Sequence, residues 1–213
     1  MRREASPTPV PEARMRILLI LAAAPGDPLR KNDPFMPLSL PLLAASAPGH
    51  DYRFVDMLAG EEPPYDVPFD LVGISVRITA EKTAYAIAAE FRKRNVKVVM
   101  GGPQISSAPF SAIGHADAVV VGEGEALWPV LLADLAAGGV LKRFYVASPA
   151  PFDARGHTIH QIDSFLDLAS VPAAIAERRL YRKRYVFDTV FAARGCAVAD
   201  VRIRLETSDK QQP

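Results

Sequence analysis

Four short stretches concentrate the residues that could do chemistry: Ala22–Asp27, Ser75–Thr79, Gly101-Gly102-Pro103-Gln104 and Gly122-Glu123-Gly124-Glu125. Each follows directly on an apolar run, and small residues dominate them. Small side chains let a backbone approach a broad ligand closely, and glycine adds conformations with positive φ. Any one of these glycines could equally serve a tight turn between a strand and a helix; four such loops on one edge favour a binding edge. Among the charged groups, Glu123 and Glu125 are candidates for proton transfer. The plainer expectation is that they stand at a helix start, where the dipole favours acidic side chains. Arg77 is placed either to meet a ligand phosphate or amide, or to point into solvent.

The elements that must position these loops are legible as periodic runs. Arg16–Leu21 is continuously apolar after its first residue and ends at Ala22-Ala23-Ala24-Pro25-Gly26. A run of that length, bounded by turn residues, predicts a strand buried on both faces. Similar signals at Tyr52–Val55, Leu71–Ser75, Val96–Met100 and Ala118–Val121 bring the expected strands to five. Between them, Thr79 is a candidate N-cap for a helix carrying Ala84, Ile87, Ala88 and Phe91 on one stripe, with Asn95 as its stop. A second helix is expected from about Glu125 to Ala137, with Pro129 near its first turn.

Strands alternating with helices predict an α/β fold: an open, mainly parallel, five-stranded sheet with helices on both faces, in a flavodoxin-like or Rossmann-like arrangement. In such sheets ligands bind outside the carboxyl ends of the strands, which is where the four loops fall. Residues 1–14 are polar and proline-bearing and are expected to be a disordered tail. The domain itself is placed at 15–148. Prolines at 149, 151 and 172 and the basic run around Arg178–Arg184 mark 149–184 as a connector to something beyond it.

Composition narrows the class. Of 213 residues, 49% are hydrophobic and 23% charged, and the formal net charge is +1. That balance gives no electrostatic ground for nucleic acid or an anionic membrane surface as partner. No apolar stretch reaches the roughly 20 residues of a bilayer span. Cys196 is the single cysteine, so an internal disulfide framework is impossible and a reducing cytoplasm is the expected setting. Particular ligands are disfavoured as well. No Walker loop occurs, and no G-x-G-x-x-G follows the first strand. Ala22-Ala23-Ala24 and Ser75-Val76-Arg77 stand where a magnesium-binding receiver domain needs carboxylates. The first loop also lacks the hydroxyls of a flavin phosphate site. A large, weakly charged ligand remains.

Asp70-Leu-Val-Gly-Ile-Ser75, Val99-Met-Gly-Gly-Pro103 and Ala116-Asp-Ala-Val-Val-Val-Gly-Glu-Gly-Glu125, preceded by Pro37-Leu-Ser-Leu-Pro-Leu-Leu-Ala-Ala45, resemble the cobalamin-binding domain fused to many radical S-adenosylmethionine enzymes. The likeness covers about Met15 to Phe144, in order and spacing. It implies that Ser75, Val76, Arg77, Gly101, Gly102, Pro103, Gly122, Glu123, Gly124 and Glu125 border the corrin and its nucleotide tail. Cobalamin domains of the mutase type carry Asp-x-His-x-x-Gly after the first strand, whose histidine ligates cobalt. Here Asp27 is followed by Pro28 and Leu29, and His50, His115, His157 and His160 lie elsewhere. The resemblance therefore implies cobalamin without a histidine ligand from this domain.

Tyr185-Val-Phe-Asp-Thr-Val-Phe-Ala-Ala-Arg-Gly-Cys196 resembles the opening of the radical S-adenosylmethionine barrel, whose Cys-x3-Cys-x2-Cys pattern holds a 4Fe–4S cluster that binds S-adenosylmethionine. The second and third positions hold Asp200 and Ile203, so Cys196 is a remnant metal ligand that cannot hold the cluster alone. Residues 185–213 are accordingly expected to be the poorly ordered remnant of a barrel cut short. The expected function is a cobalamin-binding module without catalysis of its own. The alternatives are a cofactor-free interaction or regulatory domain, and a flavodoxin-like site for a flavin or nucleotide.

Overall fold

Alternation of buried apolar runs with amphipathic segments folds the chain around one parallel sheet. A computed structural model describes residues 14–29, 33–163 and 173–189. The strands are β1 (Arg16–Ala22), β2 (Asp51–Asp56), β3 (Leu71–Val76), β4 (Lys97–Gly101), β5 (Ala118–Val121), β6 (Phe144–Ala147) and β7 (Ile159–Ile162). Their order is β2-β1-β3-β4-β5-β6-β7 and every pairing is parallel. The first five strands thus take the flavodoxin-like order. The sheet is larger than the five strands expected, because β6, inside the domain placed at 15–148, and β7, in residues expected to be connector, extend it. Both are four residues long, and β7 (Ile-His-Gln-Ile) has too little apolar character to signal a strand by itself.

The helices are α1 (Ser39–Ser46), α2 (Glu81–Arg92), α3 (Pro103–Ser107) and α4 (Gly124–Ala136). In α2 the stripe Ala84, Ile87, Ala88 and Phe91 is buried, as its 3.6-residue spacing requires. Asn95 ends the segment in a left-handed conformation (φ 58°). Thr79 does not cap α2. A 3-10 turn at Ile78–Ala80 intervenes, and the Thr79 hydroxyl instead donates to Asp27 at 3.1 Å. Pro129 lies inside α4, past the first turn, so one internal hydrogen bond of the helix is forgone. Among the described residues no helix is long and apolar enough to cross a membrane.

Two faces of the sheet are covered differently. Adjacent residues on a strand point to opposite faces. Phe144 packs on Phe110, which follows α3, while the neighbouring Tyr145 hydroxyl donates to Asp134 of α4 at 2.7 Å. Tyr85 of α2 in turn bonds Ser111, so α2 and α3 share the face opposite α4. The connections β3 to β4, β4 to β5 and β5 to β6 all step the same way along the sheet. The α4 crossover is therefore of opposite hand to the two before it, against a strong general preference for one hand. Its consequence is that α4 joins α1 on a single face, and the two helices stand side by side, α1 against β1 and α4 against β5 and β6.

Residues 173–189 fold back across the far side of α1. Tyr181 packs on Phe54 at 5.2 Å between ring centres and donates to the Pro37 carbonyl at 2.9 Å. Lys183 donates to the Asp33 carbonyl, and Phe187 stacks on Phe35 beside an isolated parallel bridge. The segment that leads toward Cys196 is thus held next to the loop after β1. Cys196 itself lies outside the described residues, as do residues 1–13 of the tail expected at 1–14 and residues 190–213 of the barrel remnant expected at 185–213.

Candidate functional site

The side-by-side placement of α1 and α4 leaves a cleft of about 430 Å³ between them, at the carboxyl ends of β1, β3, β4 and β5. Its deep end is built on one row of the sheet. Leu19, Gly73 and Val99 are in register there. One step nearer the edge, Ser75, Gly101 and Val120 form the next row. Leu40 and Leu43 of α1 make one wall and Trp128 of α4 the other. Ser39, the 101–103 turn and the 122–125 turn form the rim.

Gly73 explains how a tryptophan fits beside the sheet. A Cβ built on it would stand 2.8 Å from Leu19 Cδ2 and 3.2 Å from an atom of the Trp128 ring. The missing side chain is the space the indole uses. Trp128 is 2% exposed, and its Nε1–H donates to the Tyr52 hydroxyl at 3.1 Å. The Tyr52 hydroxyl in turn donates to the Ala47 carbonyl at 2.8 Å, and burial pushes its phenol up to about 12. Both polar groups are therefore spent within the protein. Among the described residues the deep end offers no side-chain donor or acceptor to a guest.

The rim glycines divide into two kinds. Gly102 (φ 96°) and Gly122 (φ 83°) hold left-handed conformations. A Cβ on Gly102 would meet the Val76 backbone nitrogen at 2.8 Å, and one on Gly122 would overlap the Ala147 carbonyl oxygen. These two positions require glycine for the backbone alone. Gly101 and Gly124 have no such torsional need; added Cβ atoms would stand 3.3 Å from Val120 Cβ and 3.0 Å from Leu43 Cδ2, narrowing the cleft. The expected use of small residues to admit a close ligand rests on this second pair, since the space at Gly73 is taken by Trp128.

Of the residues marked out by sequence, Ser75, Gly101, Gly102, Pro103, Gly122, Glu123, Gly124 and Glu125 border the cleft. Val76 and Arg77 do not. Val76 is fully buried, and Arg77 turns to Asp27, Nη1 to Oδ2 3.3 Å. That carboxylate also accepts from the Thr79 hydroxyl and from the Leu29 backbone N–H at 3.0 Å, tying the loop after β1 to the loop after β3. Glu123 occupies the N-cap position of α4 and Glu125 its first turn, the places the helix dipole favours. None of the four histidines borders the cleft. His50 accepts the Met15 N–H and His115 stacks on Tyr85. No group of three histidine, cysteine, aspartate or glutamate side chains suited to a metal ion occurs among the described residues.

Sequence reasoning does not single out Leu19, Gly73, Val99, Val120, the two α1 leucines or Trp128 as a site. One signal was available. A glycine inside an otherwise Leu, Val and Ile strand marks a close approach, and here it is the approach of Trp128. Outside the cleft, Asp56 at the end of β2 is fully buried, and one of its oxygens has no partner. Burial raises its carboxyl to about 6, against the Leu58 and Ala59 N–H groups that donate to the other oxygen.

No family model matches the chain. Among curated proteins, bacteriochlorophyllide d C-8(2)-methyltransferase of Chlorobaculum tepidum is 42% identical over 103 residues, covering 48% of this chain and 23% of that protein. An uncharacterized methyltransferase of Pyrococcus horikoshii is 35% identical over 119 residues, covering 50% of this chain and 26% of the relative. The chain spans about a quarter of the length of these curated relatives. Over half its own length, it is similar to methyltransferases.

Proposed function

We propose that the chain is a cobalamin-binding module of a methyltransferase-type protein. The observation that carries this is the cleft: an apolar slot at the carboxyl edge of a parallel sheet, rimmed by the Gly-Gly-Pro and Gly-Glu-Gly-Glu turns whose likeness to cobalamin domains first suggested the ligand. At about 430 Å³ the slot suits a drug-sized group. That is less than a whole cobalamin occupies, so the nucleotide tail is the part it would take, with the corrin above the rim. Gly101 and Gly124 would give that tail close backbone contact, and Ser75 would offer a hydroxyl at the mouth. A cobalt corrin held there would supply a carrier for a methyl group, in keeping with the methyltransferase names of the relatives.

In this reading the chain's own contribution is binding and positioning. Its 213 residues contain one cysteine, too few to hold a radical S-adenosylmethionine cluster, so we propose no radical step for the chain by itself. The test is to mix the full chain with hydroxocobalamin and separate it by gel filtration. The proposal expects corrin absorbance to travel with the protein. Protein emerging colourless would reject it, and a co-purifying yellow flavin would favour the flavodoxin-like alternative.

A further inference from the structure

We propose that the cleft selects among cobamides by their lower base, accepting an apolar benzimidazole and rejecting a purine. The inference rests on the cobalamin reading above and goes beyond it. Its basis is the polarity of the deep end. Leu19, Gly73 and Val99 form the floor, Leu40 and Leu43 one wall, and Trp128 the other. The one side-chain polar group in that ring, Trp128 Nε1–H, is bonded to Tyr52, which is bonded in turn to Ala47. Strand backbone groups on the floor belong to the β1–β3 and β3–β4 ladders. The polar side chains of the cleft, Ser39, Ser75, Glu123 and Glu125, all lie nearer its mouth.

A benzimidazole free of cobalt carries a single ring acceptor. Adenine in the same position brings two further ring nitrogens and an amino group. Those groups would leave water without partners, and an unsatisfied buried polar group is strongly penalised. Sites lined only by apolar groups discriminate weakly on shape, but an added polar atom with no partner changes affinity by an order of magnitude. Re-aiming Trp128 toward a purine would break its bond to Tyr52 and move an indole that is wedged against Gly73.

The experiment measures binding of three cobamides to the full chain by equilibrium dialysis: cobalamin, its adenine-based analogue, and cobinamide, which lacks the nucleotide tail. The expected result is that the adenine analogue binds at least tenfold more weakly than cobalamin, a difference of about 1.4 kcal/mol. Equal binding of the two overturns the selectivity while leaving the cobalamin reading intact. Cobinamide binding as tightly as cobalamin also overturns it, since the tail would then lie outside the cleft. Failure of all three to bind removes both proposals. A second arm places a hydroxyl at the floor by Val99→Thr, or at the next row by Val120→Thr should the first not fold. Either folded variant is expected to narrow the cobalamin-to-adenine preference at least threefold. An unchanged preference in both would refute the assignment of the base to this floor.

Discussion

Gly73→Ala is the substitution that reports most directly on how the cleft is built. The added Cβ would stand 2.8 Å from Leu19 Cδ2 and 3.2 Å from the Trp128 ring. Leu19 is fully buried and Trp128 is pinned by its bond to Tyr52, so neither yields freely. Overpacking a fixed site by one methyl costs about 1–3 kcal/mol. Gly73 itself is an ordinary strand residue with no positive φ, so no torsional penalty is mixed in, and the methyl accounts for the loss. The chain has a single tryptophan, Trp128, so urea unfolding followed by its fluorescence reads the site itself. At this chain length a loss of that size lowers Tm by roughly 2–4 °C per kcal/mol. Leu19→Val shortens the nearest neighbour and alone should cost about 1 kcal/mol. Combined with Gly73→Ala it should cost less than the two singles together by at least about 0.5 kcal/mol, because the shorter side chain leaves room for the methyl. Additive losses, or a Gly73→Ala variant as stable as the parent, would refute the wedge between strand and indole.

Three other expectations follow from single residues. Gly122→Ala forces an L-residue into φ 83° and drives its Cβ into the Ala147 carbonyl, so it should destabilise by about 2 kcal/mol or more, checked by urea unfolding; a neutral variant would mean that the turn has another conformation. Asp27→Ala removes the acceptor shared by Thr79, Arg77 and the Leu29 N–H and should cost about 2–3 kcal/mol, with limited proteolysis showing faster cutting in the loop after β1. Asp56, held at about 6 by burial against 3.8 for an ordinary aspartate, is raised in the folded state. Its contribution to stability is fully present below about pH 4 and is lost as pH rises through 6, amounting to roughly 2–3 kcal/mol. Asp56→Asn keeps an acceptor for Leu58 and Ala59 and puts a donor where the unpartnered oxygen stood. Relative to the parent it should gain stability between pH 4.5 and 7.5; parallel curves for the two proteins would contradict a buried carboxylate with one unpartnered oxygen.

The parallel sheet was legible because β1, β3, β4 and β5 are apolar runs ending in small residues, as strands buried on both faces must be; its strand order was not, since no run encodes its neighbours. The loops bordering the cleft were legible for the same reason, since the carboxyl edge follows from strand direction. The seventh strand was not, because Ile159–Ile162 holds its place by pairing with β6 rather than by its own apolar character. Nor could the walls of the cleft be read. The unusual hand of the β5–α4–β6 crossover sets α4 beside α1, and nothing local in Gly124–Ala136 encodes which face the helix will take. Arg77 was legible as a charge on the binding edge but not as the partner of Asp27, since fifty residues separate them and only the fold brings them together.

The most direct test of the central claim is a titration of the full chain with hydroxocobalamin, following Trp128 fluorescence. Trp128 forms a wall of the cleft, so a corrin seated at the rim with its tail inside should quench the emission and saturate at one equivalent. Gly124→Leu, which fills the space beside Leu43, should weaken the quenching at least tenfold in a variant that unfolds at the same urea concentration. Fluorescence that stays constant through the titration, or quenching that Gly124→Leu leaves unchanged, would contradict a cobalamin site in this cleft.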